Sequence, residues 1–192
     1  MMTSGRRLVT VGLILAFVLL LQLSALAEEK AAPANFLRLE CPGQIDVPQK
    51  DTVVSVNAYL TLAQEIGGFS LGFRYDGEGV ELKNVTVGPT LPKAGQFISN
   101  LDSLNHQMLI GWVDFTGQMP IPAGKDIPAF TMSFSVPKGA KAQFINIDST
   151  FIAPAGHWVC SLKDGGSIAP AFFDCEGAAI TIGKPAALKK EN

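Results

Sequence analysis

Histidine is scarce in this chain: His106 and His157 are the only two in 192 residues. Asp102, Ser103 and His106 crowd into one turn-like stretch. A nucleophile, base and acid are normally brought together from separate elements, so this proximity reads as a polar turn. His157 follows Pro154-Ala155-Gly156 and has no second ligand at metal-binding spacing. No pair of carboxylates is singled out for glycoside hydrolysis, whose geometry is spatial. The expectation is a non-enzyme that needs no cofactor.

A basic surplus is lacking as well. Lys and Arg number 15 against 17 Asp and Glu, which leaves no electrostatic footprint for nucleic acid. Tryptophan and tyrosine occur twice each, too few for a row of rings of the kind that stacks on polysaccharide. Trp112 shares its parity with Met108 and Ile110 and is expected in the core. Tyr59 and Tyr75 fall at strand ends or core positions. Direct glycan binding is the alternative function, confined to a loop site near His157 and Trp158. No segment matches the calcium loop D-x-[DN]-x-[DN]-G. No low-complexity tract, long linker or second apolar span interrupts the chain.

What is present begins with a leader. Arg6 and Arg7 precede an apolar run from Leu8 to Leu23, and Ser24-Ala25-Leu26-Ala27 supplies small residues for cleavage. Residues 1–27 therefore read as a signal peptide. The alternative is an uncleaved membrane anchor, since the run is about long enough to span a bilayer. Either way, residues from Glu28 onward are expected outside the cytoplasm, secreted, periplasmic or at the cell envelope. Removing the leader takes away two arginines and no acids, which leaves 13 basic and 17 acidic residues, a net charge of −4. Residues 28–35 form an N-terminal linker, 36–183 one compact domain, and 184–192 a polar tail.

The domain is patterned as strands. Thr52–Leu62 (TVVSVNAYLTL) puts Val54, Val56, Ala58 and Leu60 on one parity and is rich in β-branched residues. Ile66–Tyr75 (IGGFSLGFRY) sets Phe69, Leu71, Phe73 and Tyr75 against Ser70, Gly72 and Arg74. Phe130, Met132, Phe134 and Val136 alternate with small residues in Pro128–Val136. Shorter runs lie at 36–40, 80–87, 96–100, 107–115, 144–152 and 178–182, separated by Gly/Pro turns. About nine short strands predict an all-β sandwich with jelly-roll topology. One strand breaks the pattern: in Gln107–Phe115 (QMLIGWVDF) both parities are apolar. Either Leu109 and Val113 pack under a loop, or a partner covers them.

The order of these motifs resembles a cohesin domain. A strand of β-branched residues runs into a Gly-rich strand ending in Tyr75-Asp76. Leu82, Val85 and Gly88 follow, then Phe97 to Asn100, then a strand ending in Trp112-x-Asp114. A Pro/Gly loop (Ile121-Pro122-Ala123-Gly124), Ala129–Phe134 and the closing Ala178–Gly183 complete the set. The match spans roughly residues 36–183. What the resemblance implies is docking of a dockerin-type module, a small helical partner that carries its own calcium on polysaccharide-degrading enzymes. The family's docking surface is one sheet face. Carried over, it presents Ser70, Gly72 and Arg74, then Asn100 and Asp102, then Leu109, Gly111 and Val113. Glycines at 72 and 111 would leave that face flat for another backbone. One module is read here, with no second repeat and no surface-layer anchor pattern, so a single receptor rather than a multi-enzyme scaffold is the expectation.

Three cysteines follow the leader, so one bridge and one spare thiol are expected in an oxidising compartment. In the family's topology the first and last strands run parallel, which sets Cys41 far from Cys175. The resemblance therefore favours a Cys160–Cys175 bridge across the Gly-rich insertion 161–174, worth about 3 kcal/mol by chain entropy. Asn84-Val85-Thr86 matches the glycosylation sequon, a pattern too short to carry weight alone.

Overall fold

The computed structural model of the chain describes residues 35–153, 158–168, 173–176 and 178–184. The leader, residues 28–34, His157 and the tail beyond residue 184 lie outside the described residues. The strands are β1 (Asn35–Glu40), β2 (Gln44–Ile45), β3 (Thr52–Leu62), β4 (Ile66–Tyr75) and β5 (Glu81–Val87). They continue with β6 (Gln96–Asp102), β7 (Gln107–Val113), β8 (Gly124–Val136) and β9 (Gln143–Ser149). The last are β10 (Val159–Leu162), β11 (Ser167–Ile168), β12 (Phe173–Glu176) and β13 (Ala178–Ile182).

Two sheets face each other as a jelly-roll sandwich. One has the order β12-β1-β3-β8-β5. The other runs β11-β10-β4-β9-β13-β2, with β7 pairing β4 and β6 pairing β7 on the opposite flank. The expected all-β sandwich is what forms. The additional strands are short pieces: β2 after the first strand, and β10 to β12 in and beside the segment that reads as a Gly-rich insertion. β8 also begins at Gly124, earlier than its alternation suggests, because Leu62 pairs with Gly124 past a bulge.

Alternation does the sorting. Val54, Val56, Ala58, Leu60 and Leu62 of β3 are buried, as are Phe130, Met132, Phe134 and Val136 of β8. From the other sheet come Phe69, Leu71, Phe73 and Tyr75 of β4, with Met108, Ile110 and Trp112 of β7. Phe73 is the hub: its ring lies 6.0 Å from Phe130 and 5.0 Å from Trp158, both edge-on. Each such ring contributes roughly 1.5–3 kcal/mol by leaving water. Ile66 and Phe69 are both buried although three residues apart. A bulge reconciles them: Gly68 pairs with Ser161 and Ile66 with Leu162, so Gly67 is the extra residue.

The cysteine expectation fails. Cys160 is a buried free thiol, and Cys41 is free and half-buried. β10 carries Cys160 in one sheet, while β12 carries Cys175 in the other, where it sits opposite Leu37 of β1. Stacked sheets lie about 10 Å apart, beyond the roughly 7 Å that a bridge spans between Cα atoms. β10 and β12, which hold the two cysteines, thus belong to different sheets. Burial pushes the Cys160 thiol up to about 12 and that of Cys41 up to about 11.

Candidate docking face

The outer side of β10, β4, β7 and β6 forms a grid whose rows follow from the strand registers. Ser161, Gly68, Val113 and Gln96 make the first row, and Val159, Ser70, Gly111 and Ile98 the second. Gly72, Leu109 and Asn100 make the third; Arg74, Gln107 and Asp102 make the fourth. All eight residues carried over from the resemblance therefore share one face. Their chemistry differs from row to row.

The second row holds an apolar hollow of about 280 Å³, walled by Ile98, Leu109, Val113 and Val159. Its floor is Gly111, where an added Cβ would meet nothing nearer than the Phe69 carbonyl oxygen at 3.4 Å. Ile98 is 46% exposed on the wall. Leu109 and Val113 are partly exposed rather than sealed under a loop. β7 is apolar on both parities for two reasons: Met108, Ile110 and Trp112 face the core, and the alternate residues line this hollow.

Gly72 behaves differently from Gly111. An added Cβ there would lie 2.5 Å from the Thr150 carbonyl oxygen and 3.2 Å from the Ile152 side chain. The chain leaving β9 pairs with Gly72 through the Thr150 N–H (2.9 Å) and then lays Ile152 over it. The close backbone approach expected at this glycine is made by the protein itself. Gly72 is buried and is not part of an open plateau.

The fourth row is polar. Arg74 reaches Asp148 of β9 at 3.8 Å, with both side chains more than half exposed. With Asp76, Asn105, Gln107 and Asn146 they line a basin of about 610 Å³. Asp102 caps the β6–β7 turn: its carboxylate accepts from the Leu104 and Asn105 N–H groups and from the Asn105 amide. The Asn105 side-chain bond, then its backbone N–H, hold the Asp102 carboxyl below its usual range. Asp102 is thus a turn cap as well as a rim residue.

The turn that gathers Asp102, Ser103 and His106 holds no triad. His106 adopts a φ of 51° and stacks flat on Tyr75, ring centroids 4.8 Å apart. At the far end, Asp114 ties the loop after β7, accepting from the Thr116 hydroxyl (2.6 Å) and the Met119 N–H (2.6 Å). The Thr116 hydroxyl foremost, then the Met119 N–H, hold its carboxyl below the usual range. Among the described residues no three of His, Cys, Asp and Glu converge as metal ligands would.

Of the loop site expected for glycan, His157 lies outside the described residues and Trp158 does not stand in solvent. That ring is buried against Phe73, and its Nε1 donates to the Gly72 carbonyl at 2.7 Å. Trp112 is buried as its parity implies. Tyr59 points outward from β3, but the Arg38 guanidinium lies 4.6 Å above its ring. Sequence reasoning missed Ile98, whose parity with Asn100 and Asp102 was the available signal. It also missed Val159, for which a four-residue strand gives no signal.

Comparison with known proteins adds the fold class. No protein-family model matches the sequence, and no curated protein matches it. Solved structures do match. One is the seventh ScaB type I cohesin from Pseudobacteroides cellulosolvens, at 20% identity and TM-score 0.59, covering 82% of this chain and 97% of that one. Another is the Coh-OlpC–Doc435 complex, a type I cohesin–dockerin complex from Clostridium thermocellum, at 13% identity, TM-score 0.59, and 82% and 98% coverage. A third is a non-cellulosomal cohesin from the archaeon Archaeoglobus fulgidus, at 15% identity, TM-score 0.55, and 78% and 91% coverage. This chain has the cohesin fold.

Proposed function

We propose that the domain is a non-catalytic receptor that docks a dockerin-type helical module on the β4–β7–β6 face. The observation that carries this reading is the open apolar hollow over Gly111, set in a polar rim, which is how protein interfaces are composed. A sheet face destined only for solvent has no reason to place Ile98, Leu109, Val113 and Val159 side by side. The cohesin fold adds support, and one such fold is seen in complex with a dockerin. A fold alone does not fix a function, so the face is the stronger argument. The leader pattern adds an extracytoplasmic setting, and the partner class adds a context of polysaccharide degradation. Calcium belongs to the partner in this reading.

The test is capture of dockerin-bearing secreted proteins on the immobilised domain, with and without a calcium chelator. Chelator-sensitive capture is the expected result. Retention of the isolated domain on insoluble cellulose or chitin, with no capture, would favour direct glycan binding. Hydrolytic activity of the purified domain would overturn the non-catalytic reading.

A further inference from the structure

A sheet edge presents unpaired N–H and C=O groups, and proteins guard it with short strands, bulges, charge or proline. Four of the edge strands here are guarded in these ways. β2 and β11 are two residues long, and β12 is four. β5, at the edge of the five-stranded sheet, carries an exposed Lys83 and a break in register between Leu82 and Asn84. β6 has none of these guards. It spans Gln96–Asp102 without lysine, arginine or proline, and it pairs β7 at every residue with no shift. Among the described residues, no backbone group of Gln96–Asp102 bonds outside that ladder.

The inner side of β6 is unfinished too. Phe97 lies opposite Trp112 and Leu101 opposite Met108, which gives Phe97, Ser99 and Leu101 the inward parity. Ser99 is nevertheless exposed, and Phe97 and Leu101 are only partly buried against the core. The core is left open along this flank.

The strand is also matched to its own reverse. An antiparallel pairing of β6 with β6 of a second copy, centred on Ser99, sets Ser99 opposite Ser99 and Phe97 opposite Leu101. It sets Ile98 opposite Asn100 and Gln96 opposite Asp102. The two Phe–Leu pairs fall on the inner side and carry the core across the junction, as apolar cross-strand pairs do in a sheet. No like charges meet, because each Asp102 faces a glutamine. Slipping by two residues either way parts Phe97 from Leu101, and slipping by one turns the inner set outward.

We propose that β6 pairs with β6 of a second copy about a two-fold axis at Ser99, joining two eight-stranded sheets into one. Among the described residues each copy has one such edge, so the pairing closes at two chains instead of growing into a fibre. One strand from each copy makes a small interface, below the size of permanent dimers, and the association is reversible. The axis stands normal to the sheet, so both Gly111 hollows open on the same side. The inference does not depend on the docking reading.

The experiment is sedimentation of the full chain near 0.1 M salt, in a mild detergent that covers the apolar residues 8–23. The wild type should move from one copy toward two as its concentration rises from about 1 μM to about 1 mM, the range of weak affinities. Ser99→Lys and Ser99→Glu each set two like charges face to face on the axis and should weaken pairing about fivefold or more. An equimolar mixture of the two variants should recover pairing to within about threefold of the wild type, because lysine then meets glutamate. Asn84→Lys, on the guarded β5 edge, should leave pairing unchanged. A wild type that stays a single copy at about 1 mM, or pairing indifferent to charge at residue 99, would overturn the inference. So would a mixture that fails to recover, or loss of pairing in Asn84→Lys.

Discussion

The two sheets expose outer faces of opposite character. On the five-stranded sheet, Asn57 of β3 pairs with Thr131 of β8 and Thr131 with Thr86 of β5; Ser55, Ser133 and Asn84 form the next row. The Thr131 hydroxyl donates to the Asn57 amide oxygen at 2.9 Å, so neighbours satisfy one another laterally. Charges are likewise spent locally, as where Arg38 bonds Asp126 at 3.0 Å. On the eight-stranded sheet the corresponding rows are Val159, Ser70, Gly111 and Ile98, then Gly72, Leu109 and Asn100. Both faces obey the same alternation and sit over the same core. The first sheet leaves Val53 and Val87 exposed singly, whereas the outer face of the second gathers Ile98, Leu109, Val113 and Val159 around one hollow.

The contrast can be broken in graded steps. The inner face should matter most for folding: Phe73→Ala removes the ring between Phe130 and Trp158 and is expected to cost about 3–5 kcal/mol in urea denaturation. Docking residues should not behave this way. Next come the two glycines of the outer face, which separate packing from docking. Gly72→Ala drives a methyl into the Thr150 carbonyl and should cost about 1–3 kcal/mol, while Gly111→Ala should stay within about 1 kcal/mol. Equal costs at both positions would mean that the hollow is roofed. Smallest is Ser133→Ala on the polar face, expected within about 0.5 kcal/mol and without effect on binding.

Acid sharpens the comparison from another side. Asp114 and Asp102 have carboxyls held below their ordinary range by hydrogen bonds, foremost from the Thr116 hydroxyl and the Asn105 amide. A depressed folded value means the stabilisation is present above the ordinary carboxylate value of about 4 and is lost as pH falls through the lowered one. Thermal unfolding followed from pH 6 downward should therefore show a midpoint that falls below about pH 4. Asp114→Ala should flatten that fall. An unchanged slope in the variant would place the acid sensitivity elsewhere.

Much of this was legible in the chain. β3, β4 and β8 alternate over long enough runs that Val56, Phe73 and Phe134 could be placed inside from parity alone. The double apolar parity of β7 also marked its outer face as unusual, although parity alone left a covering loop and a covering partner both open. Short strands were not legible: Val159–Leu162 offers two residues to each face, too few to show a period. Nor does a glycine say what lies above it. Gly72 and Gly111 share parity and setting, yet one is covered by Ile152 and the other is open. The cysteine pairing failed because the topology that the resemblance implied did not say which sheet each flank of the insertion joins: β10 and β12 belong to different ones.

The central claim is that a guest sits on the Gly111 side of the molecule and nowhere else. Equilibrium titration of immobilised, calcium-loaded dockerin modules with the wild type, Gly111→Arg and Ser133→Arg tests it most directly, because each variant adds the same bulk and charge to one outer face. The account predicts that Gly111→Arg weakens binding at least about 100-fold and that Ser133→Arg leaves it within about threefold. Loss of binding in Ser133→Arg with Gly111→Arg unaffected would contradict it.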